Sequence, residues 1–276
     1  MEYSKRPRIG IHVALIVICL ILACPAIYAL QVATLTLEEA FVVPPKLFPP
    51  STDFFQNISD LFQQDFGHYI INTFIVALMV VIGKTAFAML SGLAFVYFQF
   101  PGKWVLFFFV LLTLLMPTEL ILVPLQALVS ELHWVRDTPE LALTMPFMAS
   151  AVGTFLFRQH FMNIPRELLE AAQLDGANPL RFLGAVLLPM SWNVIGAHAV
   201  IQFISMWNQY AWPVFIGLKQ DDQLIQVAVR QSVIVGTQTD FGLLMAAGVV
   251  ASIPPLVFFL LLQKQFMSGF ALTRDK

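Results

Sequence analysis

Residues 161–189 read FMNIPRELLEAAQLDGANPLRFLGAVLLP, and the rest of the chain is best understood from this stretch outward. Pro165 suits the first turn of a helix, where its missing N–H is no loss. Residues 166–174 are good helix formers, with Leu168, Leu169, Ala171 and Ala172 expected to form one apolar face. Asp175-Gly176 then stops the helix, and Asn178-Pro179 starts another. The reading is two short helices meeting at a sharp turn, shaped to plug into a groove on a soluble partner. Long apolar runs flank the stretch on both sides, so this polar element sits at a membrane surface.

Six such runs recur along the 276 residues, at about Ile9–Ala33, Tyr69–Phe98, Trp104–Val129, Leu141–Phe161, Leu187–Ile216 and Phe241–Leu262. Each meets the ~20 residues that a hydrocarbon core of roughly 30 Å demands. None alternates as a barrel strand does, so helices follow. Composition agrees: 58% of residues are hydrophobic, 12% are charged and the mean hydropathy is +0.78. A soluble domain carries about twice that charged fraction. Prolines 117, 124, 146, 213, 254 and 255 predict kinks or broken turns in these spans. The first run is too long for the apolar part of a signal peptide and Tyr28-Ala29-Leu30 is a poor cleavage site, so it reads as a retained span. Cys19 and Cys24 both lie inside it and predict no disulfide.

The expected fold is an all-α membrane protein of six transmembrane helices, one domain over residues 1–276. Its connections are an outer loop at 34–68, an inner loop at 161–186, an outer loop at 217–240 and an inner tail at 263–276. Lysine and arginine set the orientation. With both termini inside, Lys5, Arg6, Arg8, Lys103, Arg158, Arg166, Arg181, Lys264, Arg274 and Lys276 fall inside, and Lys46, Arg136, Lys219 and Arg230 outside. Pro-Pro-Lys-Leu-Phe-Pro-Pro at 44–50 favours stiff extended backbone, either a surface strap or a plain spacer.

The inner loop resembles a known family. Glu170-Ala171-Ala172, Gly176 four residues on, and Leu188-Pro189 are similar to the EAA signature of permeases in ABC importers. Phe98-Gln-Phe-Pro-Gly-Lys103 and Trp207-Asn-Gln-Tyr-Ala-Trp-Pro213 resemble the maltose-type carbohydrate branch. Gly83-Lys84, Ala88–Ser91, Met116-Pro117 with Glu119, and Phe155–Gln159 narrow the match toward permeases for glycerol 3-phosphate. The tail departs from the family: Gly269-Phe270-Ala271-Leu272 lacks the usual Gly-Ala-Val-Lys ending. The resemblance implies a type I importer permease fold in the bacterial cytoplasmic (inner) membrane. It implies that Glu170, Ala171, Ala172, Asp175, Gly176, Ala177 and Pro179 form a coupling helix and turn that dock on an ATPase. The implied partners are a second, homologous permease in a heterodimer, a dimer of ATP-binding subunits, an extracytoplasmic solute-binding protein and membrane lipid, with no nucleic acid. ATP and magnesium would bind those partners, and this chain would hold no cofactor.

The residues themselves carry no catalytic constellation. Gly83-Lys84-Thr85 lacks the upstream glycine of a phosphate loop, since Leu78 stands there. His12, His68, His133, His160 and His198 show no metal-ligand spacing. Lys84 and Glu119 are charges within spans, where each costs ~2.5–3.5 kcal/mol on insertion scales. They predict either a mutual ion pair or, at Lys84, a contact to an anionic solute. Trp207, Asn208, Gln209 and Tyr210 read either as an aromatic interfacial belt or as a lining of the translocation path. The solute is expected to be glycerol 3-phosphate or a related glycerophosphodiester, with a sugar or oligosaccharide as the alternative. A self-contained secondary transporter is the remote rival, and no convincing inverted repeat favours it.

Overall fold

A computed structural model describes residues 9–40, 42, 51–231, 234–235 and 238–271. The strap at 44–50 and the tail beyond Ala271 lie outside the described residues. The regular structure of the described residues is helical, apart from one two-residue antiparallel pair that sets Ile234 opposite Thr239 and Val235 opposite Gln238. The principal helices are α1 (Ile9–Val32), α2 (Phe66–Tyr97), α3 (Lys103–Leu112), α4 (Thr118–Glu131), α5 (Pro139–Thr144), α6 (Ala151–Met162), α7 (Glu167–Leu174), α8 (Pro179–Phe182), α9 (Trp192–Trp207), α10 (Ala211–Ile216) and α11 (Phe241–Ala271). Among the described residues three helices are long and apolar enough to cross a membrane unbroken: α1, α2 and α11 through Gly269. Three bent pairs raise the number to six where each pair makes one span.

The chain divides into two compact units, residues 1–66 with 229–252 and residues 67–228 with 253–276. In the first, α1 runs 24 residues, about 36 Å at 1.5 Å per residue, long enough for a hydrocarbon core. Every residue from Ile9 to Leu22 is exposed in this chain, so lipid or another subunit must cover it. At its exit Thr36 and Glu39 form a capping box: the Thr36 hydroxyl accepts from the Glu39 N–H at 3.2 Å, and the Thr36 N–H donates to the Glu39 carboxylate at 3.3 Å. Asn57, on the helix Phe54–Gln63, donates to the carbonyls of Ala33 and Leu35 at 3.0 and 3.1 Å. Among the described residues of the predicted loop at 34–68, most are helical, and the helix Phe54–Gln63 is tied back to the end of the span the loop follows.

In the second unit the spans break where residues compete for backbone groups. Met116 and Pro117 are extended between α3 and α4, as the residue before a proline prefers. A 3-10 turn at Met145–Phe147 precedes Ser150, whose hydroxyl accepts the Gly153 N–H at 3.0 Å and caps α6, with a 48° bend across the pair. A π turn at Leu183–Leu187 leads to Pro189, which has no N–H for the carbonyl four residues back. Ser191 then ends the segment and the helix axis turns by 82° into α9. The sequence predicts single spans across Trp104–Val129, Leu141–Phe161 and Leu187–Ile216, and each is interrupted. Pro25, Pro124, Pro254 and Pro255 instead sit within continuous helices.

Glycines let helices of this unit approach closely. A Cβ at Gly196 would collide with the Gln265 Cβ, and one at Gly269 would lie 2.7 Å from the Asn193 carbonyl, so α9 and the end of α11 pack backbone to backbone. Phe203 stacks on Phe258 at 4.0 Å between ring centroids along the same seam.

Candidate functional site

Two polar features stand out from this apolar scaffold. The first is the segment from α7 to α8. α7 ends in paired reversed hydrogen bonds: Gly176 N–H donates to the Gln173 carbonyl at 3.0 Å and Ala177 N–H to Ala172 at 2.9 Å. That closure needs a left-handed residue, and Gly176 supplies it at φ +73°. Asn178 then accepts the Arg181 N–H at 2.8 Å, with Pro179 in the first turn of α8.

The segment is anchored from beneath. Phe182 is buried in a cluster with Leu93, Phe157, Phe161 and Leu187, and meets Tyr97 edge to face at 5.3 Å. Leu169 and Ala172 pack on the same cluster. Leu168 and Ala171 face outward with Glu170, so the predicted four-residue apolar face is split. The reason is angular: at about 100° per residue the four positions spread over about 160° of the helix, and only the side carrying Leu169 and Ala172 meets the cluster. Leu174 is 90% exposed and Leu180 65% exposed. Asp175, Gly176 and Pro179 face outward as well, and Ala177 is half-buried. The result is a rigid knob with apolar tips and no cover of its own.

The second feature lies within the helices. Val76, Ala77, Val80, Val81, Ala88 and Met89 make the buried stripe of α2. Lys84 and Thr85 occupy the same register, so that stripe holds one polar step. Facing it on α9 are His198 and Gln202, four residues apart and both buried. The Lys84 ammonium donates to the Gln202 side-chain carbonyl at 2.7 Å, and the Thr85 hydroxyl lies 3.2 Å from His198 Nδ1. Gly153 makes room, because a Cβ there would sit 2.8 Å from His198 Nε2. Among the described residues Lys84 has no carboxylate partner. Glu119 falls in α4 and its side chain, with the ion-pair reading of Lys84 and Glu119, lies outside the described residues.

Sequence reasoning passed over Gln202 and read His198 only as a histidine without metal-ligand spacing, so it missed the pair. Their signal was present, two polar residues at i, i+4 in an apolar helix, the same spacing that marks a shared face. The fifth-span motif is divided. Trp207 is buried and stacked on Phe203 at 5.6 Å, while Trp212 donates its indole N–H to the Ala142 carbonyl at 3.0 Å. Neither ring forms an interfacial belt on this chain. Asn208 is exposed and accepts from Gln226 at 3.2 Å, with Gln209 and Tyr210 half-buried beside it.

Comparison with known proteins places this geometry. Residues 84–270 match the family described as binding-protein-dependent transport system inner membrane component. The chain belongs to this family. It is a multi-pass protein of the bacterial inner membrane. The sn-glycerol-3-phosphate transport system permease protein UgpE of Yersinia enterocolitica is 37% identical over 277 residues, covering 98% of each chain. UgpE of Pectobacterium atrosepticum is 36% identical over 266 residues, covering 94% of each. A crystal structure of a bacterial ABC transporter involved in the import of the acidic polysaccharide alginate matches with a TM-score of 0.77 at 20% identity, over 96% of this chain and 99% of that one. The shared fold is that of type I ABC importer permeases.

Proposed function

We propose that this chain forms half of the translocation path of an ABC importer for glycerol 3-phosphate or a related glycerophosphodiester. The observation that carries the reading is full-length similarity, at 37% identity, to permeases named for sn-glycerol 3-phosphate. The other half is a homologous permease, and an extracytoplasmic binding protein delivers the solute. The α7–α8 knob docks in a dimer of ATP-binding subunits, which bind ATP and magnesium and carry out hydrolysis. Glu170, Ala171 and the exposed Leu174 and Leu180 provide the docking surface, with Gly176 fixing the angle. Both termini and the knob face the cytoplasm, in six spans. Lys84, with Asn208, Gln209 and Tyr210, meets the solute on its way through. A neutral partner at Gln202 leaves the Lys84 charge uncompensated, which suits an anion in a poorly solvated passage.

Uptake by the reconstituted complex, measured with radiolabelled glycerol 3-phosphate, a glycerophosphodiester and a maltose-type oligosaccharide, tests the reading. ATP-dependent uptake of the phosphoesters alone is expected. Uptake of the oligosaccharide in their place would assign the subunit to the sugar branch, and accumulation without the ATPase would make it a secondary transporter.

A further inference from the structure

A cavity of about 600 Å³ opens where the start of α3, the end of α6 and α7 converge; it shares Glu170 with the proposed docking surface and lies apart from the polar step. Its lining includes Lys103, Trp104, Arg158, Arg166, Glu170 and Gln173. Arg158 is the unusual member. It is 7% exposed, yet among the described residues it has neither a carboxylate nor a hydrogen-bond acceptor. Its guanidinium is held by aromatic rings alone, 4.4 Å from the centroid of Phe107 and 5.1 Å from that of Trp104. Burying a guanidinium without an acceptor is expensive, so its hydrogen-bond fork awaits a ligand. Lys103 adds a second charge near enough to repel Arg158. The Lys103 ammonium caps the end of α2, donating to the Phe98 carbonyl at 2.8 Å, and keeps further donors for the cavity. Arg166 is exposed at the rim. Glu170 reaches the same rim and, among the described residues, forms no ion pair with any of them.

We propose that this cavity binds the phosphodiester headgroup of an anionic phospholipid of the phosphatidylglycerol class, with Arg158 and Lys103 as its principal ligands. The ligand must be an anion, since two cations share the space with no ion-paired counterion. A phosphate suits the planar guanidinium, which can donate two parallel N–H bonds to it. What points to a lipid is the outer surface of α3. Trp104 (67% exposed), Val105, Phe108 and Phe109 form a continuous apolar bank leading away from the cations. A headgroup anchored at Arg158 lays its acyl chains along that bank, which starts at Trp104, and an exposed indole is a ring that membrane interfaces favour. A small hydrophilic phosphate would leave the bank unused. The inference depends on neither the transported solute nor the orientation of the spans.

The test uses the full complex in phosphatidylcholine nanodiscs doped with brominated phosphatidylglycerol or, as control, brominated phosphatidylcholine. Bromine quenches nearby tryptophan, and Trp104 reports the cavity. Quenching should favour the phosphatidylglycerol, and the preference should disappear in Trp104→Phe. Each of Lys103→Gln and Arg158→Gln should weaken it about five-fold, near 1 kcal/mol per removed charge at the surface. Arg158→Lys should retain part of the preference, and Lys103, only half-buried, guards against reading a folding defect as lost binding. Equal quenching by the two lipids would overturn the proposal, as would a preference unchanged in both glutamine variants. Loss of the preference on adding inorganic phosphate at matched ionic strength would assign the site to a soluble anion, which also overturns a lipid.

Discussion

The knob from α7 to α8 and the polar step between α2 and α9 are both polar interruptions of an apolar protein, built by opposite means. The knob is assembled from neighbours in sequence: Gly176 bonds to Gln173, Ala177 to Ala172, and Asn178 caps Arg181. The step joins residues separated by 118 positions at Lys84–Gln202 and 113 at Thr85–His198. The knob satisfies its own backbone and leaves Leu174 and Leu180 uncovered. The step gives its ammonium an acceptor only when two distant helices pack. The turns of the knob are therefore written locally while its tips await a cover, and the step exists only in the packed fold.

The sharpest way to break this contrast is Gln202→Leu. It strands the Lys84 ammonium in a poorly solvated place, and should cost about 3 kcal/mol, the upper range for a hydrogen bond to a charge. Thermal unfolding in nanodiscs reads the loss. Adding Lys84→Met should return most of the stability, and a double variant as unstable as Gln202→Leu alone would show that the two residues do not act as a pair. Next comes Gly196→Ala on the α9–α11 seam, expected to destabilise by about 2 kcal/mol through overpacking against Gln265. The same assay checks it.

Gly176→Asp should be smaller in stability, about 1 kcal/mol for a left-handed aspartate, yet large in function. Insertion should be normal while transport and crosslinking of α7 to the ATP-binding subunit fall away. Unchanged solute-stimulated ATPase activity there would remove the docking role. Leu174→Ser sharpens the contrast furthest. A side chain this exposed should change stability by less than about 0.5 kcal/mol. Its effect should appear only in the ratio of uptake to ATP hydrolysis.

That division also explains what the sequence could reveal. Helix stops and starts are written in adjacent residues, so Pro165, Gly176, Asn178 and Pro179 announce the knob in the primary sequence itself. Apolar runs likewise announce spans, because lipid demands length and little else. The breaks inside spans were harder. Pro117 interrupts its helix and Pro254 does not, and the difference lies in surroundings that no single proline records. His198 and Gln202 stayed hidden because a neutral polar side chain lowers hydropathy only slightly, and its meaning comes from Lys84 across the bundle. The split of Leu168 from Leu169 was arithmetic that helical geometry supplies.

The Lys84–Gln202 bond also has a history in time. Helices enter the membrane as the ribosome makes them, and 118 residues separate donor from acceptor. At about 5–20 residues per second, the lysine precedes its glutamine by roughly 6 to 24 s. Over that interval α2 carries an ammonium without this acceptor, until α9 has been made and delivered. The nascent chain thus passes through a stage in which Lys84 lacks its acceptor, and the arrival of α9 is the event that ends it.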